Sequence, residues 1–264
     1  EQVEAARRRG LDVRFDMHTR LFGTTNLSAA LPPDLLEGSQ AAIARRLRAP
    51  STHQAMRHYP SIINALARGD WSKIVLFNSK AHPELRGQSL AEVSAQWNRD
   101  PYATIGELLL AEIDDLHSLM ILAFTYRAED LRAAFEHPDC MVGSDATALA
   151  PDGPLANSAF HGAYTWAAWF FRHFVRERGV ITPQEAVRRL TSLPASRLGL
   201  TDRGVLRPGA DLAIFDPATF GERGTTLEPN QPADGMAHVV VNGAVTLHNG
   251  HLTGNHGGRV LRRS

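Results

Sequence analysis

The chain of 264 residues is 43% hydrophobic and has 28 basic and 28 acidic side chains, a composition typical of a soluble globular protein with one large or two smaller domains. A net charge of zero without a basic cluster argues against nucleic acid or an anionic membrane surface as the partner. The single cysteine excludes an internal disulfide and fits a reducing compartment, so we expect a cytoplasmic protein.

The first part of the chain mixes helices with short strands. A helix ending at Gly10 precedes "LDVRFDMHT", whose alternation of apolar and polar residues predicts a strand that ends near Asp16. A later helix begins at Ser89, where Glu92 three residues on completes a capping box. The remaining elements of this part are predicted helices at 39–48, 52–67 and 102–112 and a buried strand at 73–78.

The middle of the chain alternates strand and helix regularly. "SLMILAF" (118–124) and "CMVGSD" (140–145) are buried-strand candidates on either side of the amphipathic helix "RAEDLRAAFEH". A long helix, "GAYTWAAWFFRHFVRERG", follows, and then a shorter one with Thr182 as N-cap and Glu185 closing a capping box. Strands and helices in this order predict right-handed βαβ units and a parallel sheet covered on both faces.

The pattern changes at about Gly204, after which short strands alternate with tight turns. Asn242-Gly243 and Asn249-Gly250 are strong signals for hairpin turns. This part therefore reads as an antiparallel β appendage that follows an α/β body.

Asp145 follows the apolar run "CMVG", at the carboxyl end of a predicted parallel strand. In α/β proteins the reactive groups lie at these strand ends. An aspartate is also common there as a helix N-cap or a brace for the loop. A carboxylate beside a divalent cation stays ionised and can accept a proton, so position alone leaves both roles open.

Three passages in this order resemble the amidohydrolase superfamily, and most closely its N-acyl-D-amino acid deacylase (D-aminoacylase) branch: "HPDCMVGSDATALAPDGPL", "RLTSLPASRLGLTDRGVLRPGADLAIFDP" and "NQPADGMAHVVVNGAVTLHNGHLTG". The resemblance covers nearly the whole chain and is strongest from Ala128 onward. It implies an α/β fold, the C-terminal part of a metal-dependent (β/α)8 TIM barrel plus a small antiparallel β domain. The domains implied are a barrel portion at 1–203, with a lid-like insertion at about 31–116, and a small β-sandwich appendage at 204–264.

The same resemblance implies a catalytic role for Asp145, close to the metal, as general base for the attacking water. The cofactor implied is Zn²⁺, one or two ions, held mostly by histidines on earlier barrel strands. Those histidines have no match here, and no His-X-His pair occurs in the 264 residues. We therefore expect that the chain is the C-terminal half of the enzyme, and that a second polypeptide or segment supplies the N-terminal half and the other ligands.

His18, Arg20 and His161 are the substrate-binding residues that the resemblance indicates. The run His18-Thr19-Arg20 stands where the family has a Tyr-Pro-Tyr run that lines the substrate pocket, and His161-Gly162-Ala163 stands where it has His-Pro-Arg. The family's arginine is associated with the substrate carboxylate, and leaving a buried carboxylate unpaired is costly. Either Arg20 takes over this pairing, or the substrate has no carboxylate.

The leading hypothesis is a zinc-dependent amidohydrolase that cleaves the amide bond of an N-acyl (D-)amino acid by metal-activated water. Two alternatives stay open: a hydrolase of cyclic or carboxylate-free amides, and a non-catalytic subunit of a two-chain amidohydrolase. Replacing Asp145 would separate an enzyme from a scaffold, because only the enzyme depends on that carboxylate.

Overall fold

The chain divides into two units, one of which interrupts the other in sequence. The computed structural model describes residues 2–156 and 160–261. Glu1–Thr19 and Ala128–Ser264 together form the split unit, and Arg20–Arg127 forms the inserted unit. The insertion predicted at about 31–116 falls within the inserted unit, and its role as a lid stays a prediction.

The split unit contains a parallel pair of strands from distant parts of the chain. β1 (Phe15–His18) pairs with β5 (Cys140–Gly143), with Phe15 opposite Cys140 and His18 opposite Gly143. Among the described residues, this sheet has two strands, so each strand has one unpaired edge. Unpaired edges expose backbone hydrogen-bonding groups that can accept further strands.

Residues from the first part of the chain bind Asp139, which directly precedes β5. α1 (Gln2–Arg8) places Arg7 against the carboxylate of Asp139, which is 7% exposed. The same carboxylate accepts a hydrogen bond from Arg14 at 2.9 Å, just before β1. Two guanidinium groups therefore compensate one buried carboxylate and hold the two strands in register.

Three helices pack against β5, which explains its apolar composition. They are α7 (Ala128–Glu136), α8 (His161–Phe171) and α9 (Pro183–Leu190). Cys140 and Val142 form the buried face of the strand, at 0% and 8% exposure. Burial raises the pKa of the Cys140 thiol to about 12, so this cysteine acts as a small apolar group.

α9 is held by an ion-pair cluster as well as by its cap. Thr182 caps the helix by accepting a hydrogen bond from the Glu185 amide, as predicted. The Glu185 side chain does not close the capping box, because Arg188 and Arg189 both bind it at 2.7 Å. Arg188, followed by Arg189, holds the pKa of Glu185 at about 2, so buried Arg189 keeps a charged partner at neutral pH. α10 (Ser192–Arg197) then packs on α9.

The long helix predicted after the Asp145 loop changes its winding partway. α8 ends at Phe171 and continues as a π-helix over Arg172–Glu177. In this segment Arg172 donates to Glu222 of the β appendage, with Nε 2.9 Å from Oε2. Winding of this type is rare, and here it coincides with the residues that join α8 to the appendage.

The inserted unit has its own sheet and core. Its strands β2 (Gly23–Asn26), β3 (Ile74–Asn78) and β4 (Met120–Ala123) are antiparallel in the order β2-β4-β3. The helices that complete it are α2 (Gln40–Leu47), α3 (Pro50–His58), α4 (Ile62–Ala67), α5 (Leu90–Gln96) and α6 (Pro101–Ala111). The unit has one hydrophobic core, to which side chains from different parts of its sequence contribute. Among its members, Leu27, Ile74 and Leu108 are each 0% exposed.

One prediction about the sheets is wrong. The sequence predicts that the run at 118–124 joins the strand at 140–145 in a parallel sheet, but β4 lies in the antiparallel sheet and β5 pairs with β1. An apolar run covered on both faces is equally suited to the central strand of an antiparallel sheet. The Ser89 and Glu92 capping box of α5 is confirmed, since each side chain binds the backbone amide of the other residue.

The β appendage is a four-stranded antiparallel sheet in the order β6-β7-β8-β9. Its strands are β6 (Leu212–Phe215), β7 (Met236–Val241), β8 (Ala244–His248) and β9 (His251–Leu252). Both predicted hairpins are confirmed: Asn242-Gly243 joins β7 to β8, Asn249-Gly250 joins β8 to β9, and all four residues have positive φ. The second layer that a β-sandwich at 204–264 requires stays a prediction, as does the barrel boundary at 203.

Across residues 2–156 and 160–261, no helix combines the length and the apolar character that a membrane crossing requires.

Candidate functional site

The carboxyl ends of β1 and β5 lie side by side. Because the strands are parallel and His18 lies opposite Gly143, both end at the same level. Asp145 follows Gly143 after a single residue, Ser144. The structure therefore brings the carboxylate predicted from the sequence to the end of the sheet where reactive groups of parallel α/β proteins lie.

One face of the strand pair is polar at this end. Side chains alternate along a strand, so Asp16, His18 and Gly143 share the face opposite to buried Cys140 and Val142. Asp16 is exposed, and its Oδ2 lies 2.9 Å from the position that a Cβ on Gly143 would occupy. The carboxylate of Asp16 thus covers Gly143, and a larger residue there would collide with it.

Asp145 has an unusual backbone and an exposed side chain. Its φ is 47°, in the left-handed region that asparagine and aspartate tolerate better than most residues. It is not the N-cap of α8, which is Phe160. Within the described part of the chain, no other residue forms a hydrogen bond or ion pair with its carboxylate. Neither a capping nor a bracing role therefore explains this residue.

The backbone on both sides of Asp145 touches the first turn of α8. A Cβ built on Gly162 would lie 1.8 Å from the carbonyl oxygen of Ser144 and 3.0 Å from the Cβ of Ala146. Only glycine permits an approach this close. The position of the Asp145 loop is therefore set by the start of α8.

His161, the first residue of α8, is 5% exposed. Its Nε2 binds the backbone carbonyl of Thr226, in the β appendage. A carbonyl oxygen can only accept, so Nε2 carries the proton. Thr165, one turn later, donates its hydroxyl to the His161 carbonyl. The ring therefore already has a protein contact, and its predicted role in binding substrate stays a prediction.

The other two residues predicted to bind substrate lie in different units. His18 is the last residue of β1, half-buried at the same strand end as Asp145. Arg20 is the first residue of the inserted unit and is also half-buried. Their roles toward substrate remain predictions from the sequence.

Asp145 alone does not make a metal site. Among residues 2–156 and 160–261, no three histidine, cysteine, aspartate or glutamate side chains are grouped closely enough to hold a metal ion. The Asp145 carboxylate is nevertheless exposed at a strand end, and no described residue binds it. Such a carboxylate can serve as one ligand of an ion that other groups hold, or as a proton acceptor beside that ion. That most ligands lie elsewhere stays a prediction.

Sequence reasoning missed two features of this site. Gly162 was noted only as a departure from His-Pro-Arg, although a glycine in the first turn of a helix is itself a signal of close backbone approach. The second feature is Asp16, which lies where the sequence predicts the end of the strand. The alternation in "FDMH" was sufficient to place Asp16 and His18 on one face.

Comparisons with known proteins show similarity to amidohydrolases and to deacylases of N-acyl-D-amino acids. Residues 127–247 match the amidohydrolase family. An N-acyl-D-glutamate deacylase of Alcaligenes xylosoxydans xylosoxydans is 34% identical over 189 residues, which are 70% of this chain and 35% of that protein. The chain therefore spans about a third of the length of the curated relatives that it matches.

Solved structures match over most of the chain. A D-aminoacylase with a binuclear metal centre aligns with a TM-score of 0.70 and 26% identity, covering 99% of this chain and 45% of its own. An N-acyl-D-glutamate deacylase from Bordetella bronchiseptica, complexed with zinc and a phosphonate inhibitor, aligns with a TM-score of 0.65 and 28% identity over 93% and 42%. The predicted fold class, the C-terminal part of a (β/α)8 barrel with a small antiparallel β domain, is confirmed.

Proposed function

We propose that this chain, whose residues 127–247 match the amidohydrolase family, is the C-terminal part of a zinc-dependent enzyme that hydrolyses the amide bond of N-acyl-D-amino acids. The observation that carries the proposal is Asp145, an exposed carboxylate in left-handed backbone conformation at the end of a parallel strand. The relatives named as deacylases support the substrate class.

Asp145 acts as the general base in this proposal. Its carboxylate takes a proton from the water that attacks the substrate carbonyl, and later returns it to the nitrogen of the departing amine. Zinc, when bound, supplies a Lewis acid that polarises the carbonyl and lowers the pKa of water. The exposed position of Asp145 at the strand end suits proton transfer, since no described protein group competes for the carboxylate.

Asp145 is also the residue of this chain that would hold the metal, which is one or two zinc ions. Support comes from relatives solved with zinc and with a binuclear centre. The other ligands are proposed to come from outside the described residues, in a second polypeptide or segment that carries the N-terminal half of the barrel. The unpaired edges of β1 and β5 support this, because a closed barrel pairs every strand on both sides.

Arg20 is proposed to bind the substrate carboxylate, with His18 beside the substrate. The arginine that the family carries near His161 is absent here, and Gly162-Ala163 stand in its place. That absence also favours a second candidate, an amidohydrolase of cyclic or carboxylate-free amides. The two candidate functions therefore differ in whether the substrate carries a carboxylate.

Replacing Arg20 by alanine tests the choice of substrate. We expect the KM for N-acyl-D-amino acids to rise about 10- to 100-fold, because a hydrogen-bonded charge pair contributes about 1.5–3 kcal/mol. The KM for amides without a carboxylate should stay nearly unchanged. Steady-state kinetics on paired substrates, with Arg45→Ala on the exposed surface of α2 as the control, measure this. Equal losses on charged and neutral amides would refute the role of Arg20 and favour the second candidate.

A further inference from the structure

The loop 221–230 of the β appendage packs on the start of α8. A Cβ built on Gly224 would lie 2.7 Å from Cγ2 of Thr165 and 2.5 Å from the carbonyl oxygen of Pro229. The loop therefore approaches the first turns of the helix as closely as its glycine allows. This contact lies within the split unit and joins the appendage to the barrel portion.

Hydrogen bonds close the loop on both sides of Thr226. The amide of Thr225 donates to the carbonyl of Glu228 at 3.0 Å, and the amide of Glu228 donates to the hydroxyl of Thr225 at 2.9 Å. Glu222 anchors the start of the loop to Arg172, and its side chain is 8% exposed. The Thr226 carbonyl, which accepts the Nε2 hydrogen of His161, lies within this hydrogen-bonded loop.

His161 connects this loop to the residues around Asp145. Its ring binds Thr226, and the next residue, Gly162, lies directly against Ser144 and Ala146. A shift in the first turn of α8 is therefore transmitted to both neighbours of Asp145. The aspartate has a strained positive φ that the surrounding contacts must maintain.

We infer that His161 is a positioning residue for Asp145: it fixes the first turn of α8 to the appendage loop, and this turn fixes the direction of the carboxylate. The inference rests on the proposed function of Asp145 as general base. It also gives the appendage a part in the reaction, because the acceptor for His161 lies in that domain. The contact with Thr226 makes His161 a support for the site, in place of the substrate contact that the sequence suggested.

Two substitutions separate the hydrogen bond from the volume of the ring. His161→Phe keeps a buried ring and removes the donor, whereas His161→Gln retains an N–H that can reach the Thr226 carbonyl. His173→Gln is the matched control, since His173 is a half-buried histidine of the following π-helix that stacks on Trp169. Circular dichroism melting identifies variants that fold.

The readouts are hydrogen exchange of peptides covering 140–149 and the separate values of kcat and KM, on the protein as isolated with any chain that accompanies it. We expect His161→Phe to accelerate exchange in these peptides and to lower kcat about 100-fold, the effect of a misplaced reacting group, with little change in KM. His161→Gln should restore both, and His173→Gln should alter neither.

Unchanged exchange in the His161→Phe variant would overturn the inference. A raised KM with normal kcat would also overturn it, because that result indicates contact with substrate. A folded His161→Gln protein that restores nothing would do the same. If the parent protein lacks hydrolase activity but His161→Phe still accelerates exchange in these peptides, the positioning role is supported and the proposed function is refuted.

Discussion

Asp145→Asn should reduce kcat for amide hydrolysis by about 10²- to 10⁴-fold, the usual contribution of a general base. The fold should be unaffected, because asparagine tolerates the left-handed backbone at φ 47° almost as well as aspartate. No described residue loses a hydrogen bond, since the carboxylate forms none with them. Kinetics combined with thermal unfolding measure both effects.

The control for this variant is Asp152→Asn, which removes another exposed carboxylate from the same loop. It should leave kcat unchanged. Equal activity of Asp145→Asn and the parent protein would remove the basis for the general-base proposal and favour a non-catalytic subunit. Alanine is the less suitable substitution at position 145, because a left-handed backbone costs it about 1–2 kcal/mol.

Gly162→Ala should both destabilise the protein and inactivate it. Alanine normally stabilises a helix relative to glycine by about 1 kcal/mol, but here its Cβ would lie 1.8 Å from the carbonyl oxygen of Ser144. The helix or the Asp145 loop must move, and overpacking of this kind costs about 1–3 kcal/mol. Chemical denaturation gives the free energy of unfolding, and kinetics show whether kcat falls with it.

Gly23→Ala is the matched control for this substitution, because a Cβ built on Gly23 meets nothing within 4 Å and the residue has no positive φ. Its free energy of unfolding should change by less than about 0.5 kcal/mol. A Gly162→Ala protein as stable and as active as the parent would show that the contact with Ser144 is not tight in solution.

Local signals in the sequence predicted local structure well. The Ser89 capping box and the Asn242-Gly243 turn each depend on residues a few positions apart, and both are confirmed. The partner of a strand depends on residues far along the chain, so β4 was assigned to a parallel sheet when it lies in an antiparallel one. An apolar run indicates that both faces of a strand are buried, but it does not identify the neighbouring strand.

At the candidate site, too, the sequence predicts what depends on neighbouring residues and does not predict what depends on distant ones. Asp145 was found because the end of an apolar strand is visible in sequence, and the resemblance gave that position a chemical role. The surroundings of His161 were not predictable, because its hydrogen-bond acceptor lies 65 residues later in the appendage loop. A histidine at a helix start gives no sign of whether it faces substrate or another part of the protein.

We propose that Asp145 serves a metal whose other ligands lie outside the described residues. Native mass spectrometry combined with metal analysis, on this chain alone and on the assembly isolated with it, tests the claim most directly. We predict that the chain alone retains no stoichiometric zinc, and that zinc is recovered only in an assembly containing additional polypeptide. A stable, folded monomer of these 264 residues holding one equivalent of zinc would contradict the account.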